Sequence, residues 1–142
     1  MLKLTDVDDA TTLPSNGLLE DRHGCPAYVA PEMLQPGAYL GVPADMWSAG
    51  VILYTLLVGH YPFFDTNPQL LFARIRSGSY HTPDHVSPAA RSLISSLICY
   101  DPVQRPSAEA VLAHPWLVHP SLQQESVPLR IAELDQIVPK LC

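Results

Sequence analysis

Apolar residues recur at helical spacing through the middle of the chain, and the pattern is lost toward both ends. The run ADMWSAGVILYTLLV, residues 44–58, is apolar almost all the way round, which predicts a core helix buried on every side. Glycine and proline interrupt the preceding sequence repeatedly as far as Pro43, which predicts an extended surface segment there. We therefore expect one central helix that follows a long loop.

Shorter helices are predicted after this central helix. One begins at an Asn-Pro pair and places Leu70, Leu71 and Ile75 on a single face. Another follows a Ser-Pro pair and has the most regular helical spacing of apolar residues in the chain. Ser107 caps a final short helix, which Pro115 is predicted to end.

Composition narrows the class of protein. The 142 residues suit one domain, and 47% of them are apolar while only 15% are charged, so some apolar surface is expected to face a partner. A net charge of −6 without a basic stripe argues against nucleic acid. The longest apolar run, Ala49 to Val58, is shorter than the ~20 residues of a membrane-spanning helix, so no membrane partner is expected.

Three cysteines, without CxxC spacing, predict neither a disulfide framework nor a zinc site. The N-terminus does not have the pattern of a secretory signal. Both features favour a reducing compartment, and we expect the nucleus and the cytoplasm.

Four motifs occur in the order typical of the C-terminal lobe of a eukaryotic protein kinase. They are KLTDVD (3–8), YVAPEML (28–34), ADMWSAGVILYTLLVGHYPF (44–63) and DPVQRPSAEAVLAHPWL (101–117). The chain resembles that lobe over residues 1–118, from the DFG-equivalent loop to the last helix, which implies a mainly α fold. Residues 119–142 are predicted to form a flexible tail.

Within the kinases, HGCPAYVAPEML (23–34) followed by VILYTLLVGHYPF (51–63) resembles the Tribbles family of pseudokinases. The resemblance implies an adaptor that binds a client protein, a transcription factor or a kinase kinase, and recruits a WD40-containing E3 ubiquitin ligase through its tail. The resemblance also implies that such a protein inhibits kinases in mitogen-activated protein kinase signalling and regulates protein degradation. The implied ligase-binding residues are Asp135, Gln136, Ile137, Val138 and Pro139.

The client is expected on the surface formed by residues 6–36 and the helix at 68–77. A second motif, formed by His114, Pro115, Trp116 and Leu117, resembles the Tribbles segment that contacts mitogen-activated protein kinase kinases. Ordinary kinases carry the same residues as packing at a helix end, and that interpretation is favoured here.

Catalytic residues are not predicted. The sequence contains no Gly-rich phosphate loop and no HRDxxxxN catalytic loop, so the ATP-binding lobe and the catalytic loop are expected to be absent. Asp6 occupies the position of the magnesium-binding aspartate, but Val7 and Asp8 replace the Phe and Gly of that motif, so Asp6 is at most a weak remnant of a metal site. We expect no metal, no cofactor and no enzyme activity. The alternative is the truncated C-terminal lobe of an active calmodulin-dependent-type Ser/Thr kinase.

The resemblance also assigns four structural residues. Glu32 and Arg105 are implied to form an internal salt bridge that holds the activation segment on the lobe. Asp45 and Trp47 are implied to be architectural, with Asp45 accepting backbone hydrogen bonds from a catalytic loop that the sequence does not contain.

Overall fold

The computed structural model describes residues 7–118 of the chain. A leading segment, residues 7–40, contains two antiparallel two-residue strands, β1 (Leu18–Leu19) and β2 (Tyr39–Leu40), with Leu18 opposite Leu40. The helices that follow are α1 (Gly41–Val58), α2 (Pro68–Ser77), α3 (Pro88–Leu97), α4 (Ala108–Leu112) and α5 (Pro115–Val118). Short 3-10 helices cover Val7–Asp9, Pro26–Tyr28, Pro31–Leu34 and Pro102–Gln104. The prediction of a mainly α fold is confirmed.

The central helix, α1, begins three residues earlier than predicted. Pro43 lies in its first turn, where a backbone N–H has no partner within the helix and proline is therefore tolerated. The helix ends at Gly59, whose φ of 87° is readily adopted only by glycine and whose N–H donates to Thr55 O at 2.8 Å.

Burial of α1 is one-sided. Trp47, Val51 and Tyr54 are at most 1% exposed, whereas Ile52 and Leu56 are 48% and 73% exposed. The prediction of a helix buried on every side is therefore wrong: among the described residues, the neighbouring elements cover only one side of it. By length and hydropathy α1 also meets the criteria for a membrane span, as core helices of soluble proteins do.

The most extensive helix–helix contact in the described region joins α1 to α3. A Cβ added to Gly50 of α1 would lie 2.7 Å from Leu97 Cβ and 2.9 Å from Ile98 Cγ1, so no side chain fits at this position. On α3, Leu93, Ile94 and Leu97 are buried, as the helical spacing predicted. Glycine at position 50 thus lets the two helices approach.

The predicted boundaries of α2 are confirmed, but the prediction that Leu70, Leu71 and Ile75 share one face is wrong. Asn67 Oδ1 accepts hydrogen bonds from two backbone N–H groups at its start, and Gly78 ends it with φ 63°. Leu71 and Ile75 are buried, but Leu70 is 54% exposed because it lies about 100° round the helix from Leu71.

The end of the described region also differs from the prediction. Ser107 Oγ accepts from the Ala110 N–H at 3.3 Å and caps α4 as expected. Pro115 begins α5 rather than only ending the helix before it, because proline is well suited to a first helical turn.

Candidate functional site

A groove of about 540 Å³ lies between the first half of α1 and the leading segment. Its apolar lining includes Leu13, Leu19, Met33, Val42 and Ile52. Its titratable side chains include those of Asp9, Asp21, His23 and Asp45, and no Lys or Arg of the described residues lines it. We call this the acidic groove. Part of its lining comes from residues 6–36 of the expected client surface, whereas no residue of the helix at 68–77 lines it.

The leading segment is seated on α1 at Gly41. An added Cβ at this position would lie 2.8 Å from Leu19 Cδ1 and 2.9 Å from Leu13 Cδ1, so a side chain here would displace both leucines. The Gly41 N–H donates to Gly17 O at 3.1 Å and fixes the same junction through the backbone. One wall of the acidic groove therefore depends on a glycine.

Arg22 organises the outer side of the leading segment. Its Nε donates to Met33 O at 2.9 Å, and its Nη2 donates to Gln35 O at 2.8 Å and to Gly37 O at 2.7 Å. These carbonyls lie at and beyond the end of a 3-10 helix, where the helix itself supplies no donors. Sequence reasoning missed Arg22, because backbone carbonyl acceptors leave no trace in a sequence.

Two tyrosines fix the segment further. The Tyr39 hydroxyl donates to Asp21 O at 2.6 Å. Tyr28 O accepts from Ser48 Oγ on α1 at 3.0 Å, and the Tyr28 hydroxyl lies 3.3 Å from that of Tyr61. The hydrogen bond with Tyr61, together with burial, raises the pKa of Tyr28 to about 12, so this contact is uncharged at neutral pH.

The acidic groove has one carboxylate in an unfavourable environment. Partial burial of its carboxyl group raises the pKa of Asp45, although the residue as a whole remains exposed, and no described residue donates a hydrogen bond to its side chain. The backbone donors that the resemblance implies for Asp45 are thus not among residues 7–118. Because a cation near a desolvated carboxylate favours the charged form, the groove suits a peptide that combines apolar side chains with Lys or Arg.

Glu32 and Arg105 form an ion pair behind the groove. Arg105 Nη1 and Nη2 donate to the two Glu32 carboxylate oxygens at 2.6 and 2.8 Å, with Arg105 fully buried and Glu32 14% exposed. Arg105 also donates to Pro43 O at 2.8 Å and to Cys99 O at 2.7 Å. Its guanidinium lies 5.0 Å from the ring centroid of Trp47. The pair therefore joins the leading segment to the core.

Comparison with known proteins identifies this architecture. The protein kinase domain family matches residues 1–117. Tribbles homolog 1 of Mus musculus is 48% identical over 141 residues, Tribbles homolog 3 of Bos taurus 43% over 141, and Tribbles homolog 2 of Canis lupus familiaris 47% over 117. The chain belongs to the Tribbles pseudokinases of the protein kinase family. These matches cover 98%, 98% and 81% of the chain, which spans 38%, 40% and 34% of the respective relatives.

The resemblance to Tribbles proteins predicted three sets of residues: the metal-loop residues 6–8, the tail residues 135–139 and the motif at residues 114–117. Asp6 and the tail residues 135–139 lie outside the described residues. The two residues that replace Phe and Gly in the metal-binding motif, Val7 and Asp8, lie in a 3-10 helix, and Val7 is 66% exposed. Within residues 7–118, no group of three or more His, Cys, Asp or Glu side chains is arranged to hold a metal.

The third set, the Tribbles-like motif at residues 114–117, is divided between packing and solvent. His114 Nδ1 accepts from the Trp116 N–H at 3.2 Å at the start of α5. Trp116 is half-buried and packs against the core, while Pro115 is exposed and Leu117 is 41% exposed. His114 and Trp116 thus have structural contacts, and Pro115 and Leu117 face solvent.

Proposed function

We propose that the chain acts as a Tribbles-type adaptor that holds a client protein and recruits a WD40-containing E3 ubiquitin ligase through Asp135–Pro139. One observation carries this proposal: the match to Tribbles homolog 1 covers 98% of the chain and so extends through the tail that contains DQIVP. A short extended peptide with two or three apolar side chains is a common ligand for a preformed domain surface. In this chain Val138 and Pro139 are the anchors, and Asp135 is the steering charge.

The acidic groove is the client site in this proposal. Its aliphatic walls accept apolar side chains, and Asp9, Asp21 and Asp45 attract a neighbouring Lys or Arg of the client. The hydrogen bonds of Arg22 keep one wall of the groove in place before the client binds. A site held in its binding conformation loses less entropy on association.

The proposed role involves no phosphoryl transfer. In an active kinase the glycine of the metal loop adopts backbone angles that other residues tolerate poorly, and Asp8 replaces it here with a second carboxylate. The similarity to Tribbles homologs favours an adaptor over the truncated calmodulin-dependent-type kinase. Release of phosphate from ATP by the purified chain, abolished by Asp6→Asn, would favour the kinase instead.

The client is proposed to be a transcription factor or a mitogen-activated protein kinase kinase, and the place of action the nucleus and the cytoplasm. The exposed Pro115 and Leu117 are candidate contacts for a kinase kinase, because a partner can reach them without disturbing Trp116 in the core. Degradation of the client and lower signalling through the kinase cascade are the proposed outcomes.

The tail is tested by pull-down on the immobilised WD40 domain of the ligase receptor. Val138→Ala with Pro139→Ala should reduce recovery of the chain about tenfold or more, because two buried apolar anchors are lost. The tail offers a matched control, since Val127 and Pro128 form the same dipeptide eleven residues earlier. The double alanine variant at 127 and 128 should be recovered like the unmodified chain.

Equal recovery of all three proteins would remove Asp135–Pro139 from the proposal. Equal loss in both variants would show that the tail binds through its general apolar character and not through DQIVP. Either result would leave the acidic groove to be tested separately with client peptides.

A further inference from the structure

A second cavity, of about 440 Å³, opens at the other half of α1, and its lining contains an arginine. It lies between the end of α1, the end of α2 and the loop that follows α2. Its polar side chains are His60, Arg74, Ser79 and His81, and its apolar and aromatic walls are Tyr54, Tyr80, Pro62 and Pro83. We call it the basic pocket. No Asp or Glu of the described residues lines it, although the chain has a net charge of −6.

Arg74 is the cation of the basic pocket, and it is held in place through one nitrogen only. Its Nε donates to Asp65 Oδ2 at 3.3 Å, and Asp65 Oδ1 in turn accepts from the Asn67 N–H at 3.0 Å. No described residue accepts from the two terminal nitrogens of Arg74, whose side chain is 60% exposed. The guanidinium is therefore oriented by Asp65 while its terminal N–H groups remain open to a ligand, the arrangement that binds carboxylate or phosphate with two hydrogen bonds.

Terminal guanidinium nitrogens that line a pocket and have no acceptor are found at only one arginine of the described residues. Residues 7–118 contain five arginines and no lysine. Arg22 and Arg105 donate to internal acceptors, as described above, and Arg91 donates to Pro83 O and lies near Asp84. Arg74 and Arg76 remain, both in the last turn of α2, where a cation also stabilises the helix terminus. Only Arg74 lines the basic pocket.

His60 adds an oriented aromatic ring. Its Nδ1 lies 3.0 Å from Tyr61 O, and because a carbonyl can only accept, Nδ1 carries the proton. The ring packs edge-on against Tyr54 with centroids 5.8 Å apart. Tyr54 is itself fixed by its hydroxyl, which donates to His81 O at 2.7 Å. With the proton on Nδ1, Nε2 carries a lone pair, so His60 lines the pocket as an oriented aromatic wall and is not counted among its donors.

From these contacts we infer that the basic pocket binds an anionic side chain of a partner protein, a phosphorylated or carboxylate residue in a short peptide segment. Arg74 supplies the paired donors, and the hydroxyl of Ser79 supplies a single one. The aromatic and proline walls contact the residues that flank the anion. The inference goes beyond the proposed function and depends on neither the tail nor the acidic groove.

The test is a nuclear magnetic resonance titration of the 15N-labelled 142-residue chain with three capped tripeptides: Gly-phosphoSer-Gly, Gly-Glu-Gly and Gly-Ser-Gly. Binding of either anionic peptide should shift the amide signals of residues 60 and 79–81 and saturate below about 10 mM, the weak range expected for so small a ligand. The neutral peptide should not bind. The tighter of the two anionic peptides identifies the source of the anion.

Arg74→Gln is the decisive variant, and Arg76→Gln is its matched control on the same helical turn. The first should weaken binding about tenfold, because a paired, charged hydrogen bond is lost. The second should weaken it less than about twofold, because Arg76 acts only through screened charge. Ser79→Ala, which removes the hydroxyl proposed as a donor, provides a further test if Arg74→Gln does not fold, and should also weaken binding.

Three results would overturn the inference: no saturable shift with either anionic peptide, equal weakening by Arg74→Gln and Arg76→Gln, or shifts confined to the acidic groove. Failure of the ligase pull-down would not bear on it.

Discussion

Arg105 shows how much of this lobe depends on one side chain. Its guanidinium reaches Glu32 in the leading segment, Pro43 in the first turn of α1 and Cys99 after α3, and it lies over the ring of Trp47. Two charges this far from water are stabilising only when their hydrogen bonds are complete. Loss of either partner leaves the other charge buried.

Arg105→Ala is therefore expected to reduce the free energy of unfolding by about 3–5 kcal/mol, the range for breaking a buried ion pair. Urea denaturation followed by circular dichroism measures the loss. Arg91→Ala is the control, because Arg91 and Asp84 form a pair at 3.7 Å in which Asp84 is fully exposed, and the hydrogen bonds of Arg91 to Pro83 O and Val86 O are long, at 3.3 and 3.5 Å. The control should change stability by less than about 1 kcal/mol. Similar losses in both variants would contradict a clamping role for Arg105.

Prediction from sequence succeeded at this scale where a motif carried the information. Glu32 and Arg105 are 73 positions apart, and only the family pattern connects them. Arg22 escaped prediction because its acceptors are main-chain carbonyls. The pKa of Asp45 is raised because it is partly buried and no described residue donates a hydrogen bond to it. A local sequence pattern cannot predict the absence of a donor.

Among the elements, the contact between α1 and α3 decides the packing of the core. The start signals at Asn67 and Ser107 predicted where α2 and α4 begin, because a cap is a local interaction between neighbours in the chain. The exposed side of α1 could not be predicted in the same way. All-round apolar composition gives a helix no preferred face, so only tertiary packing decides which side is covered.

Gly50→Ala tests that contact. Alanine favours helix by about 0.5–1 kcal/mol relative to glycine, but overpacking a core costs about 1–3 kcal/mol, so we expect a net loss of stability. The new methyl group would lie 2.7 Å from Leu97 Cβ. Ala49→Ser also adds one heavy atom, on the exposed side of α1, and should change the urea midpoint little. An unchanged midpoint for Gly50→Ala would mean that α1 and α3 separate at little cost.

For the whole molecule, the low charge content of the sequence predicts apolar surface that faces a partner, and the partner stays a prediction. The sequence could not locate that surface, because its location depends on which side of α1 the neighbouring elements leave open. Ile52 and Leu56, one turn apart, are 48% and 73% exposed on the outer side of α1, and Val42 is 52% exposed near its start. Ile52 and Val42 also line the acidic groove, so the groove opens onto this side.

Replacing Ile52 and Leu56 with Gln together should lower the fluorescence of the apolar dye ANS and reduce concentration-dependent association in sedimentation velocity, because a continuous apolar patch is interrupted. Stability should change little, since both side chains already contact water. Leu112→Gln is the control, because Leu112 is 70% exposed but lies on α4 and not on α1. It should leave dye binding and association nearly unchanged. An equal effect of the control would show that scattered apolar side chains, and not the outer side of α1, govern the behaviour of the protein in solution.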